Sequence, residues 1–382
     1  MPWLETDVRD QRIQFVKAVR EPGAKMARVC RAFRISRKTG YKWLGRETAA
    51  HSAMALADRS RRPLTSSQRT AAVVTGRVRV LRAEYGWGGD KLAMLLEAEG
   101  IVLAPRTIDR IIQREGLTRL DSAPAPALGR FERAAPNELW QMDAKGCYPL
   151  RPHGQCHPLS ILDDHSRYAI GLVALPRLTT RGVRAALIGC FERVGVPAAM
   201  LMDHGVPWWN ASNATGLTTL SVFLLNQGIH LLFGRVRHPQ TQGKVERFHR
   251  TLGERLRWWG VPTTLPEFTR AFATFRDEYN EVRPHEALQM RPPASRFAPS
   301  GRAYAPTPPR WDYPAGSDVR HVAANGRLWY GSHQFFISEA LAGAQVACTP
   351  FARRVLVRYR HMFVRELHPR TGRSVSLLRA TQ

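Results

Sequence analysis

His238-Pro-Gln-Thr-Gln-Gly-Lys-Val-Glu-Arg-Phe-His-Arg250 opens the segment whose reading decides the fold. From Val245 onward, Phe248, Leu252, Leu256 and Trp259 recur at intervals of three and four. Such a stripe predicts an amphipathic helix running to Trp259 that packs on something apolar. Glu246 and Arg250 lie off the stripe, four residues apart and so on one side of the helix. A carboxylate placed there can look back at a neighbouring sheet, with an arginine beside it.

Upstream, the texture is that of strands. Trp140 and Met142 alternate with Gln141, Asp143 and Lys145, which predicts a strand with one polar face. Leu159 to Asp163 and Tyr168 to Leu175 are two further strands, separated by the turn Asp164-His-Ser-Arg167 and therefore antiparallel. A helix carrying Val183, Leu187, Cys190, Phe191 and Val194 leads through Gly195-Val-Pro197 to the strand Ala199 to Asp203. A helix over Leu217 to Asn226 and a strand over Ile229 to Phe233 precede the decisive helix. The order β-β-β-α-β-α-β-α describes a mixed sheet covered by helices.

Three acids occupy telling places in that order. Asp143 lies on the polar face of the first strand, Asp203 ends the fourth strand at a turn, and Glu246 starts the last helix. Carboxylates at strand ends can converge in the crevice beside a sheet. Three carboxylates suit a pair of hard divalent cations about 4 Å apart, which is what phosphoryl transfer uses.

The quoted run resembles the last catalytic motif of insertion-sequence transposases with an integrase-type core, the superfamily that includes retroviral integrases. Asn137-Glu-Leu-Trp-Gln-Met-Asp143, Leu162-Asp-Asp-His-Ser-Arg167, Met202-Asp-His-Gly205 and Tyr279-Asn-Glu-Val-Arg-Pro-His-Glu-Ala-Leu288 resemble its other motifs, in the same order. The resemblance covers about residues 136 to 300. It implies an α/β ribonuclease-H-like core and cleavage and transfer of DNA strands at the ends of a mobile element. It also implies two Mg²⁺ or Mn²⁺ ions per site, with Asp143, Asp203 and Glu246 as catalytic metal ligands. Asp203 and Glu246 are 43 residues apart, longer than such cores often show. The extra length is expected in the loop Pro207 to Gly216, whose Trp208 and Trp209 can stack on a base or anchor the loop. His204 stands where many relatives carry Asn. Asp163 and Asp164 are expected to cap a turn rather than bind metal. No zinc is expected: the N-terminal region offers only Cys30 and His51, and Cys147, His153, Cys156 and His157 cross a hairpin.

The N-terminal part reads as all-α. Phe15, Val16 and Val19, then Met26, Val29, Cys30 and Phe33, then a Ser36-capped helix with Tyr41, Trp43 and Leu44 make a helix-turn-helix within residues 1–60. Arg37, Lys38, Lys42 and Arg46 make its third helix basic, and the first three are expected to contact DNA. A second module is expected over 61–120. Val73, Val74, Val78, Val80 and Leu81 precede Leu92, Leu95 and Leu96, and a helix opened by Pro105 carries Arg106 toward DNA. The basic stretch Arg59, Arg61 and Arg62 would join the two modules along a phosphate backbone.

Further expectations follow from composition. A Pro/Ala-rich linker fills 121–136, the core 137–300, a second linker 301–318, and a small basic β-barrel 319–382 that carries Arg353, Arg354, Arg358, Arg360 and Arg365. Lys244, Arg247, His249 and Arg250 flank Glu246 and are expected to meet phosphate. Arg283 and His285 either do the same or hold the helix of Phe268, Phe272, Phe275 and Tyr279. Lys plus Arg number 57 against 31 Asp plus Glu, a net charge of +26. A folded chain so charged implies a polyanionic partner, DNA here, on which a homo-oligomer would assemble. No membrane partner is expected, since no run of about 18 apolar residues occurs. No signal peptide is read in MPWLETDVRDQR, and five scattered cysteines suit a reducing bacterial cytoplasm and a nucleoid-associated protein. Two rival functions are a repressor with a dead core, disfavoured by all three acids, and an RNA–DNA hybrid nuclease, disfavoured by the helix-turn-helix modules.

Overall fold

The computed structural model describes residues 8–58, 70–118, 132–209, 216–234 and 243–378. Two compact units divide the chain, residues 1–71 and 72–382.

In the first unit, α1 (Val8–Arg20), α2 (Met26–Ala32) and α3 (Arg37–Ala50) enclose Phe15, Val16, Cys30, Trp43 and Leu56. The Ser36 hydroxyl caps α3 by accepting from Thr39 N at 3.1 Å, satisfying an amide that the first turn leaves without a helical partner. Gly40 lets α3 close on its neighbours, because a Cβ there would sit 2.6 Å from Cys30 Sγ and 2.9 Å from Phe15 Cζ. Tyr41, read as part of the apolar face, is 60% exposed. Trp43 is buried, with the Arg12 guanidinium 3.9 Å from its ring centre. The linking arginines Arg59, Arg61 and Arg62 lie outside the described residues.

The second unit begins with α4 (Ala72–Tyr85), α5 (Gly89–Ala98) and α6 (Pro105–Arg114), packed through Val78, Leu81, Leu92, Leu96, Ile108, Ile111 and Ile112. Val73 and Val80, expected on the buried side, are exposed. Buried Arg82 donates to the carbonyls of Gly86, Trp87 and Leu117 and so closes the helical group.

The sheet that follows contains β1 (Trp140–Ala144), β2 (Tyr148–Pro149), β3 (Gln155–Asp163), β4 (Ala169–Leu175), β5 (Ala199–Met202) and β6 (His230–Phe233). β3 lies between β1 and β4 and is antiparallel to both, whereas β1, β5 and β6 run parallel. The two-residue β2 pairs with the start of β3 and was not foreseen. Trp140, Met142, Leu159 and Ile161 point to one side, with α7 (Thr180–Val194) and α8 (Thr219–Asn226). Cys156, Leu162 and Leu172 point to the other, with α9 (Gly243–Trp259) and α10 (Leu265–Asp277). The period of two along each strand thus feeds two cores. Val245, Phe248, Leu252 and Leu256 are buried on α9, as the stripe requires, but Trp259 at its end is 38% exposed beneath the Arg255 guanidinium.

The C-terminal strands β7 (Asp318–His321), β8 (Arg327–Tyr330), β9 (His333–Phe336), β10 (Gln345–Phe351), β11 (Arg354–Tyr359), β12 (Met362–His368) and β13 (Arg373–Ser376) do not form the expected barrel. They make an open sheet in the order β13-β12-β11-β10-β7, with β8 and β9 as a separate hairpin. Val346, Val357, Val364 and Leu367 join the same apolar core as α8 and β6, so one face of the sheet is covered without closure. The stretch read as a linker lies on the core: Arg302 donates to the carbonyls of Pro197, Gln227 and Gly228. The expected basic surface is partly spent on packing, though Arg353 and Arg354 stay exposed. Arg365 is buried and donates to Ser374 Oγ, Arg354 pairs with Glu366, and Arg360 donates to Asn226 O and Pro309 O. Among the described residues no helix is long and apolar enough to cross a membrane.

Candidate active site

Parallel pairing of β1 and β5 sets Trp140 opposite Met200 and Gln141 opposite Leu201. Two residues further along, in the same register, stand Asp143 and Asp203, so the two acids leave the sheet from matching points on neighbouring strands. On the antiparallel side Asp143 pairs with Ser160 of β3. Both residues face α9, as the period of two dictates. The polar face expected on β1 is therefore covered by a helix, and Gln141 is fully buried. Glu246 occupies the first turn of α9 and is exposed, as are Arg247 and Arg250.

Each aspartate has one oxygen held. Asp143 Oδ1 accepts from the amide of Ala144 at 2.9 Å. Asp203 Oδ1 accepts from Gly205 N at 2.9 Å and from the Trp208 indole N–H at 2.5 Å. A side chain at position 205 would begin 2.8 Å from that same oxygen, so the turn needs glycine. Trp208 is thus a buried anchor, while Trp209 packs its ring edge-on to His204 and Phe233. His204 contributes an aromatic contact where an amide side chain was the familiar alternative, and burial lowers its pKa against the pull of Asp203.

Burial raises the Asp143 carboxyl to about 6; the negative charge of Asp203 adds to this, the Ala144 amide opposes it, and Glu246 contributes further. Asp143 therefore feels both other acids from a partly desolvated position. Three carboxylates match the donor chemistry of a hard divalent cation, whose charge would relieve the repulsion felt at Asp143. Among the described residues no three His, Cys, Asp or Glu side chains are close enough to hold an ion as they stand. The fit is therefore one of donor type and charge.

The flanks of Glu246 divide. Lys244 Nζ donates to Asp164 Oδ1 at 2.5 Å, and His249 is buried against the sheet. Helical geometry explains His249: it stands four residues after Val245 and three before Leu252, inside the stripe rather than beside it. Its Nε2 is 2.9 Å from Ser160 Oγ and its Nδ1 3.7 Å from Asp143 Oδ2, while Lys145 Nζ donates to its carbonyl at 2.7 Å. Burial, then Lys145, lowers its pKa to about 4. In the first unit Arg37, Lys38 and Lys42 are exposed on one side of α3, and Arg106 is exposed at the start of α6.

Asp163 and Asp164 are fully buried and structural. Asp163 Oδ1 accepts from Ser166 N at 2.7 Å and its Oδ2 from Asn137 N at 2.8 Å, closing the turn onto the entry to β1. Asp164 accepts from Gln141 Nε2 at 2.8 Å, Arg133 N at 2.8 Å and Lys244, which ties β1 to the start of α9. His285 packs edge-on against Tyr279, and Arg283 lies over Trp87; both sit under α10 and the helical group. Sequence reading did not foresee that Ser160 meets His249, that the Trp208 indole holds Asp203, or that Asp164 binds Lys244. A serine inside an otherwise apolar strand was the one available signal.

Comparison with known proteins bears on the same segments. Residues 133–239 and 227–293 each match an integrase core domain family, and residues 6–50 match a homeodomain-like domain family. The chain is 26% identical over 230 residues to an uncharacterised 31.7 kDa protein of insertion element IS407 from Burkholderia multivorans, covering 58% of this chain and 79% of that one. Among solved structures it is similar to a simian T-cell lymphotropic virus intasome (14% identity, TM-score 0.37, 75% of this chain and 97% of that one). It is also similar to the BIV integrase catalytic core (22% identity, TM-score 0.32, 42% and 92%). The chain thus carries a homeodomain-like domain followed by an integrase core domain, and these matches, with the insertion-element relative, support an insertion-sequence transposase with an integrase-type core, a polynucleotidyl transferase.

Proposed function

We propose that the protein binds the ends of a mobile DNA element, cleaves a strand there and transfers it to target DNA, using Asp143, Asp203 and Glu246. The observation that carries this reading is that Asp143 and Asp203 each stand two residues beyond the paired Gln141 and Leu201 of parallel strands, with the charges of Asp203 and Glu246 both felt at Asp143. The three carboxylates would hold two Mg²⁺ or Mn²⁺ ions. When bound, these supply charge neutralisation at the reacting phosphate and activation of the attacking hydroxyl. The chain's own part is to aim the carboxylates: the Gly205 and Trp208 N–H groups fix one oxygen of Asp203, and the Ala144 amide fixes one of Asp143.

Exposed Arg247 and Arg250 on α9 are suited to the phosphates of the strand being cut. Lys244 and His249 serve the protein interior first, so their contribution to DNA contact is indirect. Arg37, Lys38 and Lys42 on α3 would read the element end, and Arg106 on α6 would contact the duplex beside it. Two ends must be joined to one target, so a homo-oligomer assembled on DNA is part of the reading. Its place of action is the bacterial cytoplasm, at the nucleoid.

The test is single alanine substitution of Asp143, Asp203 and Glu246, assayed on oligonucleotides that carry the element end. Cleavage and joining should be lost while DNA binding persists. An E246A protein with near-normal strand transfer would overturn the assignment.

A further inference from the structure

We propose that the helical group α4–α6 is a ruler for the cut: docked on α9 through Arg255 and Trp258, it sets which phosphodiester of a bound DNA end reaches the three acids. The inference rests on the reading above, in which Arg106 of α6 contacts the duplex, and adds to it the residues that fix where cleavage falls.

The dock is built on the open end of a helix. The last carbonyls of a helix have no partner within it, and Ala83 and Glu84 lie in the last turn of α4. Both are met by donors from α9. The Trp258 indole N–H donates to Ala83 O at 3.0 Å, and Arg255 Nη1 donates to Glu84 O at 2.7 Å. A cation is also favoured at this, the negative end of a helix. Arg255 is 7% exposed, and its Nε donates to Glu278 Oε2 at 2.9 Å, so one guanidinium joins α4, α9 and the turn that follows α10. Gly86, at φ +82 less a little more than a tenth, is not needed for charge but for closeness: a Cβ there would lie 3.3 Å from the Trp258 ring. Val282 packs on the apolar core of the helical group, and the Arg283 guanidinium stands 5.4 Å from the centre of the Trp87 ring. The hydrogen bonds of the dock go to α4 alone, and Arg106, Arg110 and Gln113 of α6 stay exposed. Glu246 and Arg255 stand on the same helix, about 13 Å apart along its axis. A duplex gripped by α6 is thereby held at a set distance from Glu246, and that distance selects the phosphate to be cut.

The full-length chain tests this on a duplex that carries the element end, with the cut positions read at nucleotide resolution. Trp258→Phe keeps a ring against Gly86 and removes the N–H. Arg255→Met made together with Glu278→Gln removes the guanidinium without leaving a carboxylate buried and unpaired. With all three changes, cutting at the wild-type position should fall about tenfold and new cuts should appear at neighbouring phosphodiesters. Affinity for the duplex should stay near wild type, because the exposed face of α6 is untouched. A merely structural role would lower the rate or the melting temperature without moving the cut. A single cut at the wild-type position, fast or slow, therefore overturns the proposal. If the triple variant fails to fold, Trp258→Ala is read by the same criterion. Wild type that binds the duplex and cuts it nowhere would instead overturn the proposed function, and this inference with it.

Discussion

The indole N–H of Trp208 donates to Oδ1 of Asp203 over 2.5 Å, from a ring that is 2% exposed. A loop tryptophan that could have served to stack on a base is instead committed to Asp203, one of the three acids proposed for the active site. Trp208→Phe keeps most of the packing and deletes only the donor. A hydrogen bond to a charged group contributes on the order of 1.5–3 kcal/mol, and the Gly205 amide shares the load. Strand joining should fall about tenfold at limiting Mg²⁺ and recover in part at high Mg²⁺. Titrating joining against Mg²⁺ checks this, and an unchanged curve would mean that Gly205 alone sets Asp203.

Asp143 makes the metal-free site pH-sensitive. Its carboxyl is raised from 3.8 to about 6, so the folded chain binds that proton more tightly than the unfolded chain does. The associated stability is fully present below the ordinary Asp range and is lost as pH rises through the raised value. Asp143→Asn removes the charge at every pH. It should stabilise the metal-free protein above pH 7 by about 1–3 kcal/mol and near pH 3.5 by almost nothing, while abolishing joining. Thermal melts at the two pH values decide it, since an equal gain at both would separate the effect from ionisation. In wild type at limiting Mg²⁺, joining should decline as pH falls through about 6, because the proton then competes with the metal for the carboxylate.

Asp164 is predicted to be a hub of the fold. It is fully buried, and it accepts from Gln141, from the Arg133 amide and from Lys244. Asp164→Ala leaves Gln141 without that partner and Lys244 without its counter-charge, which should cost about 3–5 kcal/mol. Chemical denaturation measures it, and a loss below about 1 kcal/mol would show that the hub is dispensable.

Gly40 tests the first unit by itself. Valine there must displace Cys30 Sγ and Phe15, both buried. Overpacking of this kind costs about 1–3 kcal/mol, more than a helix gains by losing a glycine. Residues 8–58 should melt earlier and specific footprinting of element ends should weaken, while the transition of residues 72–382 stays in place. If calorimetry finds the early transition unmoved, α3 does not close on Gly40 as described.

Periodicity and motif order by themselves determined the series of strands and helices from Trp140 to Trp259, the stripe Val245, Phe248, Leu252 and Leu256, and the cap at Ser36. These are local properties: a helix repeats every 3.6 residues, a strand every two, and a hydroxyl before a helix finds an amide three residues on. The places of the three acids, one within a strand, one just past a strand end and one in the first turn of a helix, are also local. Only the tertiary structure decided what surrounds them. Whether His249 faces phosphate or the Ser160 hydroxyl depends on which sheet α9 covers, and Ser160 is 89 residues away in the chain. Whether Asp164 caps a turn or also binds Lys244 depends on a contact spanning 80 residues. The C-terminal strands alternate as a barrel's would, yet they stay open, because α8 and β6 cover the face that closure would otherwise have to bury. Alternation specifies which side chains seek cover, and the rest of the chain determines what provides it.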